Sequence, residues 1–128
     1  MSLRSPLGKV LGSGSAKEGT DHWWQQRVTA LALLVLGLWA LLSFARLDDF
    51  AFATVHSWVA SPFNSVMLLL LGVTLAWHSA LGVQVVIEDY VHGAFVKVIS
   101  LIFNKFIHVF LGIAGVLAVL KIALGGSA

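Results

Sequence analysis

Apolar residues fall in three long runs, 28–45, 63–87 and 98–124, separated by short polar breaks. None of the runs alternates at the two-residue period of a barrel strand. Each is apolar almost all round, which predicts helices that cross a membrane rather than helices with one wet face. The second run carries no formal charge over ~25 residues and would span ~37 Å as a helix. The first, at ~18 residues, is at the short end for a crossing. The third is interrupted by Asn104, Lys105 and His108. A lysine deep in lipid costs several kcal/mol unless it is paired or snorkels, so this run is expected to enter the membrane late, with Lys105 and His108 near the interface.

The breaks carry their own signals. Phe52, Val55 and Val59, spaced three and four apart, predict a short amphipathic helix on the membrane surface, with Trp58 as an interfacial ring. Ser61-Pro62 reads as a helix start, and Val91-His92-Gly93 as a turn. Gly112, Gly115 and Ala118 place small residues on the last helix, where close helix approach in lipid needs them. Residues 1–20 are polar and rich in Gly and Ser, and are expected to be a flexible or partner-docked tail. Thr20 or Asp21 is then the predicted cap of the first helix, and Trp23 with Trp24 an interfacial pair. Residues 21–128 form the anchor domain: an all-α membrane protein of three transmembrane helices, part of a heteromeric helix bundle.

Composition sharpens this picture. With 59% hydrophobic and 11% charged residues among 128, a soluble domain is excluded. There is no cysteine, which removes disulfides, thiolate-ligated clusters and a thiol nucleophile from the chain. No nucleic-acid partner is expected. Arg4, Lys9, Lys17, Arg27, Lys97 and Lys105 lie on one side of the predicted spans, and Arg46 and Lys121 on the other. The bias places the N-terminus in the cytoplasm and the C-terminus in the periplasm. The first 20 residues have no apolar core of a cleavable signal and no Arg-rich transit pattern. A bacterial inner membrane is therefore expected in preference to a mitochondrial one.

His78 stands in mid-run on the second span. An ionisable side chain at that depth is a functional-site candidate, and a neutral imidazole is a frequent haem ligand. The alternative is a hydrogen bond to a neighbouring helix. Gly82, one turn on, leaves a gap near the same face that a flat macrocycle could use. Asp89 is eleven residues on and returns to within ~20° of the His78 direction. Asp89-Tyr90 is a carboxylate–phenol pair where the helix leaves the membrane: either a polar helix end, or a phenol donating to a quinone carbonyl with an acid beside it for proton delivery. Arg27 is either a snorkelling anchor or an anion ligand for a haem propionate or quinone oxygen. His56 reads as solvated, and His92 either as solvated or as part of a proton entry beside Asp89-Tyr90. With His108 placed low, a second haem ligand should come from another polypeptide.

Two stretches together, His22-Trp-Trp-Gln-Gln-Arg-Val-Thr-Ala30 and His78-Ser-Ala-Leu-Gly-Val-Gln-Val-Val-Ile-Glu-Asp-Tyr-Val-His-Gly93, resemble the small hydrophobic membrane-anchor subunit of succinate dehydrogenase (respiratory complex II), in its alphaproteobacterial and mitochondrial type. The resemblance covers residues ~20–125. It implies that His78 is the axial ligand this subunit gives to haem b, shared with the larger cytochrome b anchor subunit. It implies that Tyr90 and Asp89 belong to the ubiquinone site, and that Arg27 lies in the haem propionate or quinone region. The further partners implied are an iron–sulfur subunit and a flavoprotein, which carry the clusters and the FAD. The chain would be part of an enzyme, succinate:quinone oxidoreductase, without being catalytic alone. Two alternatives stay open: a haem-binding anchor of another respiratory complex such as quinol:fumarate reductase, and a cofactor-free structural membrane protein.

Overall fold

A computed structural model of the chain describes residues 17–125. They form four helices: α1 (Lys17–Phe44), α2 (Phe52–Ala60), α3 (Pro62–Tyr90) and α4 (Ala94–Ala123). Three of these are long and apolar enough to cross a bilayer: residues Thr20–Phe44 of α1, and all of α3 and α4. The protein is an all-α, multi-pass membrane protein.

α3 is the central element. It packs against α1 on one side and α4 on the other, while the described residues of α1 and α4 do not pack on each other. Only a few side chains are buried, among them Leu36 and Ala40 of α1 and Leu81 of α3. Large apolar side chains such as Leu34, Leu41, Phe106 and Phe110 stay exposed, so much of the apolar surface is left for lipid or other chains.

The short helix and its neighbours close one end of this arrangement. α2 lies where 52–59 predicted it, and Trp58 stacks on Trp39 with centroids 5.8 Å apart and packs against Phe44 at 4.7 Å. Its last carbonyls accept from α3: Asn64 Nδ2 donates to Trp58 O at 2.8 Å, beside the Ser61 amide at 3.3 Å, and Ser65 Oγ donates to Val59 O at 2.6 Å. Before α2, the Thr54 hydroxyl and the Ala51 amide hold the Asp49 carboxyl below the usual carboxylate range. At the C-terminus of α4, Gly125, at φ 73°, takes the left-handed conformation that lets the helix stop.

Two expectations are corrected. α1 starts by Lys17, so Thr20 and Asp21 are inside the helix rather than at its cap. Lys and Glu are good helix formers, and the helix runs on below the apolar segment. The expectation for residues 1–16 lies outside the described residues. The second correction concerns α4, which begins at Ala94 after a link of only Val91, His92 and Gly93. Lys97 is drawn back to α3, where its Nζ donates to Glu88 O at 2.8 Å and satisfies an end carbonyl of that helix. The tight hairpin carries His108 to the level of Ser79, not to the interface.

Gly112 lets the two long helices of this hairpin meet. A Cβ at that position would stand 3.5 Å from the Ala76 Cβ, ordinary contact with no room for more. Gly112→Ala should therefore be close to neutral. Gly112→Leu should force the helices apart and lower stability by about 1–3 kcal/mol, read as a drop in the melting temperature of the detergent-solubilised protein.

Candidate functional site

α1 faces α3 with an unusual stripe. His22, Gln26 and Thr29, at i, i+4 and i+7, lie on one side of the helix, and Thr29 is 7% exposed. At the head of the stripe Thr29 Oγ1 is 2.9 Å from His78 Nδ1. The hydroxyl is also 2.7 Å from Gln25 O. A carbonyl can only accept, and the contact with Gln25 O is the shorter of the two, so the single hydroxyl proton of Thr29 is assigned to Gln25. His78 Nδ1 must then carry the proton in the bond to Thr29. In the neutral ring this leaves Nε2 with its lone pair and no partner among the described residues. A hydroxyl that fixes the tautomer and ring orientation is what a metal-ligating imidazole needs from its surroundings.

The residues present therefore fit one axial position of a haem. The described residues contain no group of three or more His, Cys, Asp or Glu side chains that could hold a bare metal ion. The other imidazole at this height, His108, is not a second ligand to the same iron. Its Nδ1 bonds Asn104 O at 2.8 Å and its Nε2 bonds Ser79 Oγ at 2.9 Å, so both nitrogens are occupied. His108 therefore has no free nitrogen to offer an iron at His78.

Gly82 has a nearer neighbour than a macrocycle. A Cβ there would meet the Gln26 amide nitrogen at 3.7 Å, so α1 covers part of the gap. Gln26 Oε1 and His22 Nε2 are buried without a partner among the described residues.

The second cluster lies twelve residues along α3, ~18 Å from His78. Tyr90 is 77% exposed and Asp89 is exposed beside it. Their backbone is held from several sides: His92 Nδ1 donates to Tyr90 O at 3.0 Å, Lys97 caps Glu88 O, and Gln84 Nε2 donates to Glu88 Oε1 at 2.8 Å. The helix end is thus fixed by groups other than the phenol and the Asp89 carboxylate, which stay open for an outside ligand. Arg27 does not join either cluster from within the chain. It is exposed, and its guanidinium lies over the Trp23 ring, 5.6 Å from the centroid. Two residues from Thr29, it points ~200° around α1, away from α3.

A groove of about 970 Å³ runs between α1 and α4 over α3, lined by Trp77, Gln84, Lys105 and Val109 among others. None of His78, Gly82, Asp89 and Tyr90 lines it, although His22 at the foot of the α1 stripe and His108 of α4 do.

Thr29 escaped the sequence reading. It stands at i+7 from His22 on a stripe of polar residues inside an otherwise apolar helix, which is the signal that could have found it.

Three helices long enough to cross a bilayer, with an imidazole at mid-height and an exposed phenol–carboxylate pair at one end of the central one, define a polytopic membrane protein. The chain belongs to the succinate dehydrogenase/fumarate reductase transmembrane subunit family, whose model matches residues 1–119. It is 39% identical over 90 residues to the succinate dehydrogenase hydrophobic membrane anchor subunit of Rickettsia bellii, covering 70% of this chain and 71% of that one. It is 34% identical to the succinate dehydrogenase membrane anchor subunit of Reclinomonas americana, over 73% of this chain and 80% of that one. The corresponding subunit of Paracoccus denitrificans is 30% identical, over 70% of this chain and 69% of that one. These relatives are of the alphaproteobacterial and mitochondrial type that residues 22–30 and 78–93 resemble. No solved structure matches the chain.

Proposed function

We propose that the chain is the small membrane anchor of a succinate:quinone oxidoreductase in a bacterial inner membrane. His78 would hold, through Nε2, a haem b shared with a larger cytochrome b anchor subunit. Asp89 and Tyr90 line the site where ubiquinone is reduced, next to the iron–sulfur subunit that delivers electrons from the flavoprotein. The N-terminus and the Tyr90–Ala94 hairpin face the cytoplasm, in line with the distribution of basic residues. The observation that supports the reading most is the Thr29–His78 bond, which leaves Nε2 free as a donor to iron.

The haem, when bound, supplies a one-electron redox centre within the membrane. Thr29 keeps the His78 ring in the Nδ1-protonated tautomer and fixes its plane. Tyr90 O–H donates a hydrogen bond to a quinone carbonyl, polarising it as electrons arrive. The Asp89 carboxyl, on the aqueous side of the helix end, passes protons toward the reduced ring, which takes up two electrons and two protons to become quinol. Arg27, turned away from α3, is placed to meet an anionic group brought by a partner, such as a propionate. FAD and the iron–sulfur clusters stay in the partner subunits.

The test is purification in mild detergent through a tag on this chain. A flavoprotein and an iron–sulfur protein should co-purify with a b-type reduced-minus-oxidised spectrum. A preparation with neither would refute the reading. Thr29→Val keeps the shape of the side chain and removes the hydroxyl, so haem affinity should fall about 10- to 100-fold. Thr29→Ser should restore most of it, measured as haem per flavin during detergent dilution.

A further inference from the structure

The three residues 78, 79 and 80 are held in a way that a simple packing contact does not require. Thr29 of α1 bonds His78 from one side. From the other side α4 takes the next two residues. Ser79 Oγ is 2.9 Å from His108 Nε2, and Asn104 Nδ2 donates to Ala80 O at 2.9 Å. His108 Nδ1 is 2.8 Å from Asn104 O. That carbonyl can only accept, so Nδ1 carries the proton, and Nε2 receives the proton of Ser79. Asn104 is 6% exposed and sits within the α3–α4 contact.

Successive residues of a helix point ~100° apart. Thr29 of α1 and the His108–Asn104 pair of α4 therefore grip α3 from two sides within one turn, through two side chains and the Ala80 carbonyl. Rotating α3 by one residue, or sliding it by one rise, would break all of them together. The apolar contact of Ala76 with Gly112 has no such angular demand. Interhelical hydrogen bonds in membranes add little net stability, because each partner finds others in the separated helices. Histidine and asparagine inside a span are expensive compared with apolar residues of the same size. What they add is register.

We propose that His108 and Asn104 are positioning residues for His78: acting through Ser79 and Ala80, they lock the rotation and height of the α3 turn that carries it. Neither touches the cofactor. They set the angle at which Nε2 is presented, while Thr29 sets the tautomer. The inference rests on the haem-ligand reading of His78, but half of its test does not.

That half uses the haem-free protein. The chain has no cysteine, and a Cβ at position 112 would be 3.5 Å from that of Ala76, within the span of a disulfide. An Ala76→Cys, Gly112→Cys pair should cross-link α3 to α4 rapidly in membranes. Adding Ser79→Ala or Asn104→Leu should slow the cross-linking severalfold, and Ser79→Thr should restore it. The other half uses the whole purified complex without the cysteines. Ser79→Ala and His108→Leu should shift and broaden the low-spin haem resonance in electron paramagnetic spectra. His108→Gln, whose side-chain oxygen can still accept from Ser79, should return it toward the wild-type position. Should His108→Leu fail to assemble, Ser79→Ala, which loses a single oxygen atom, decides the matter. Unchanged cross-linking together with an unchanged resonance overturns the proposal while leaving the haem reading intact. Slowed cross-linking in a protein whose wild type shows no haem signal upholds the clamp and refutes the haem reading.

Discussion

On the proposed reading, Tyr90→Phe should lower the rate of quinone reduction by succinate ~10²-fold in the assembled complex, the size of effect that removing one hydrogen-bond donor from a reacting oxygen produces. Succinate oxidation with a soluble artificial acceptor should stay at the wild-type rate, because electrons then leave before the membrane site. The separation of the two rates is what gives this result its meaning. The phenol is exposed, and the helix end is held by Lys97, His92 and the Gln84–Glu88 pair rather than by the Tyr90 hydroxyl. Losing one oxygen there leaves the fold untouched. Equal loss of both rates would mean that the residue supports assembly, and no loss of either would remove Tyr90 from the quinone site.

His78→Leu has the other large effect. It should reduce haem per flavin at least ~10-fold, or leave a b-type spectrum of altered position, since the proposed axial ligand is replaced by a side chain that cannot donate. Succinate oxidation with an artificial acceptor again reports whether the remaining subunits are in place. The substitution also strips Thr29 Oγ1 of the N–H it accepts, at about 1–3 kcal/mol for a buried polar group. The helix is still gripped through Ser79, Ala80 and the Ala76–Gly112 contact, so the anchor should persist in the membrane. A wild-type haem content and spectrum in this variant would show that the iron is held elsewhere.

The positions of the candidate residues along α3 were legible early. His78, Asp89 and Tyr90 share one continuous helix, and the number of residues between them fixes their separation without any tertiary information. The same is true of the α2 helix, of the Ser61-Pro62 start and of the 91–93 turn. Lys105 and His108 misled because the cost of a charge in lipid was applied to the pair. In the fold they separate: Lys105 stays exposed on the groove side of α4, while His108 turns inward to Ser79. Gly82 misled in a smaller way, since the side chain that approaches it belongs to a helix more than fifty residues earlier.

Run length and charge spacing, which are local quantities, were enough to establish three membrane helices and the order of chemistry along the central one. Which faces of those helices meet is not local. It depends on the three-residue link that sets the register of α4 against α3, and on the depth at which α1 lies against α3. Only the folded chain could therefore pair Thr29 with His78 and so leave one ring nitrogen free, and only it could bring His108 and Asn104 to the next two residues. Hydrogen bonds between separate helices require matching height and rotation, and neither is written in the periodicity of any single helix.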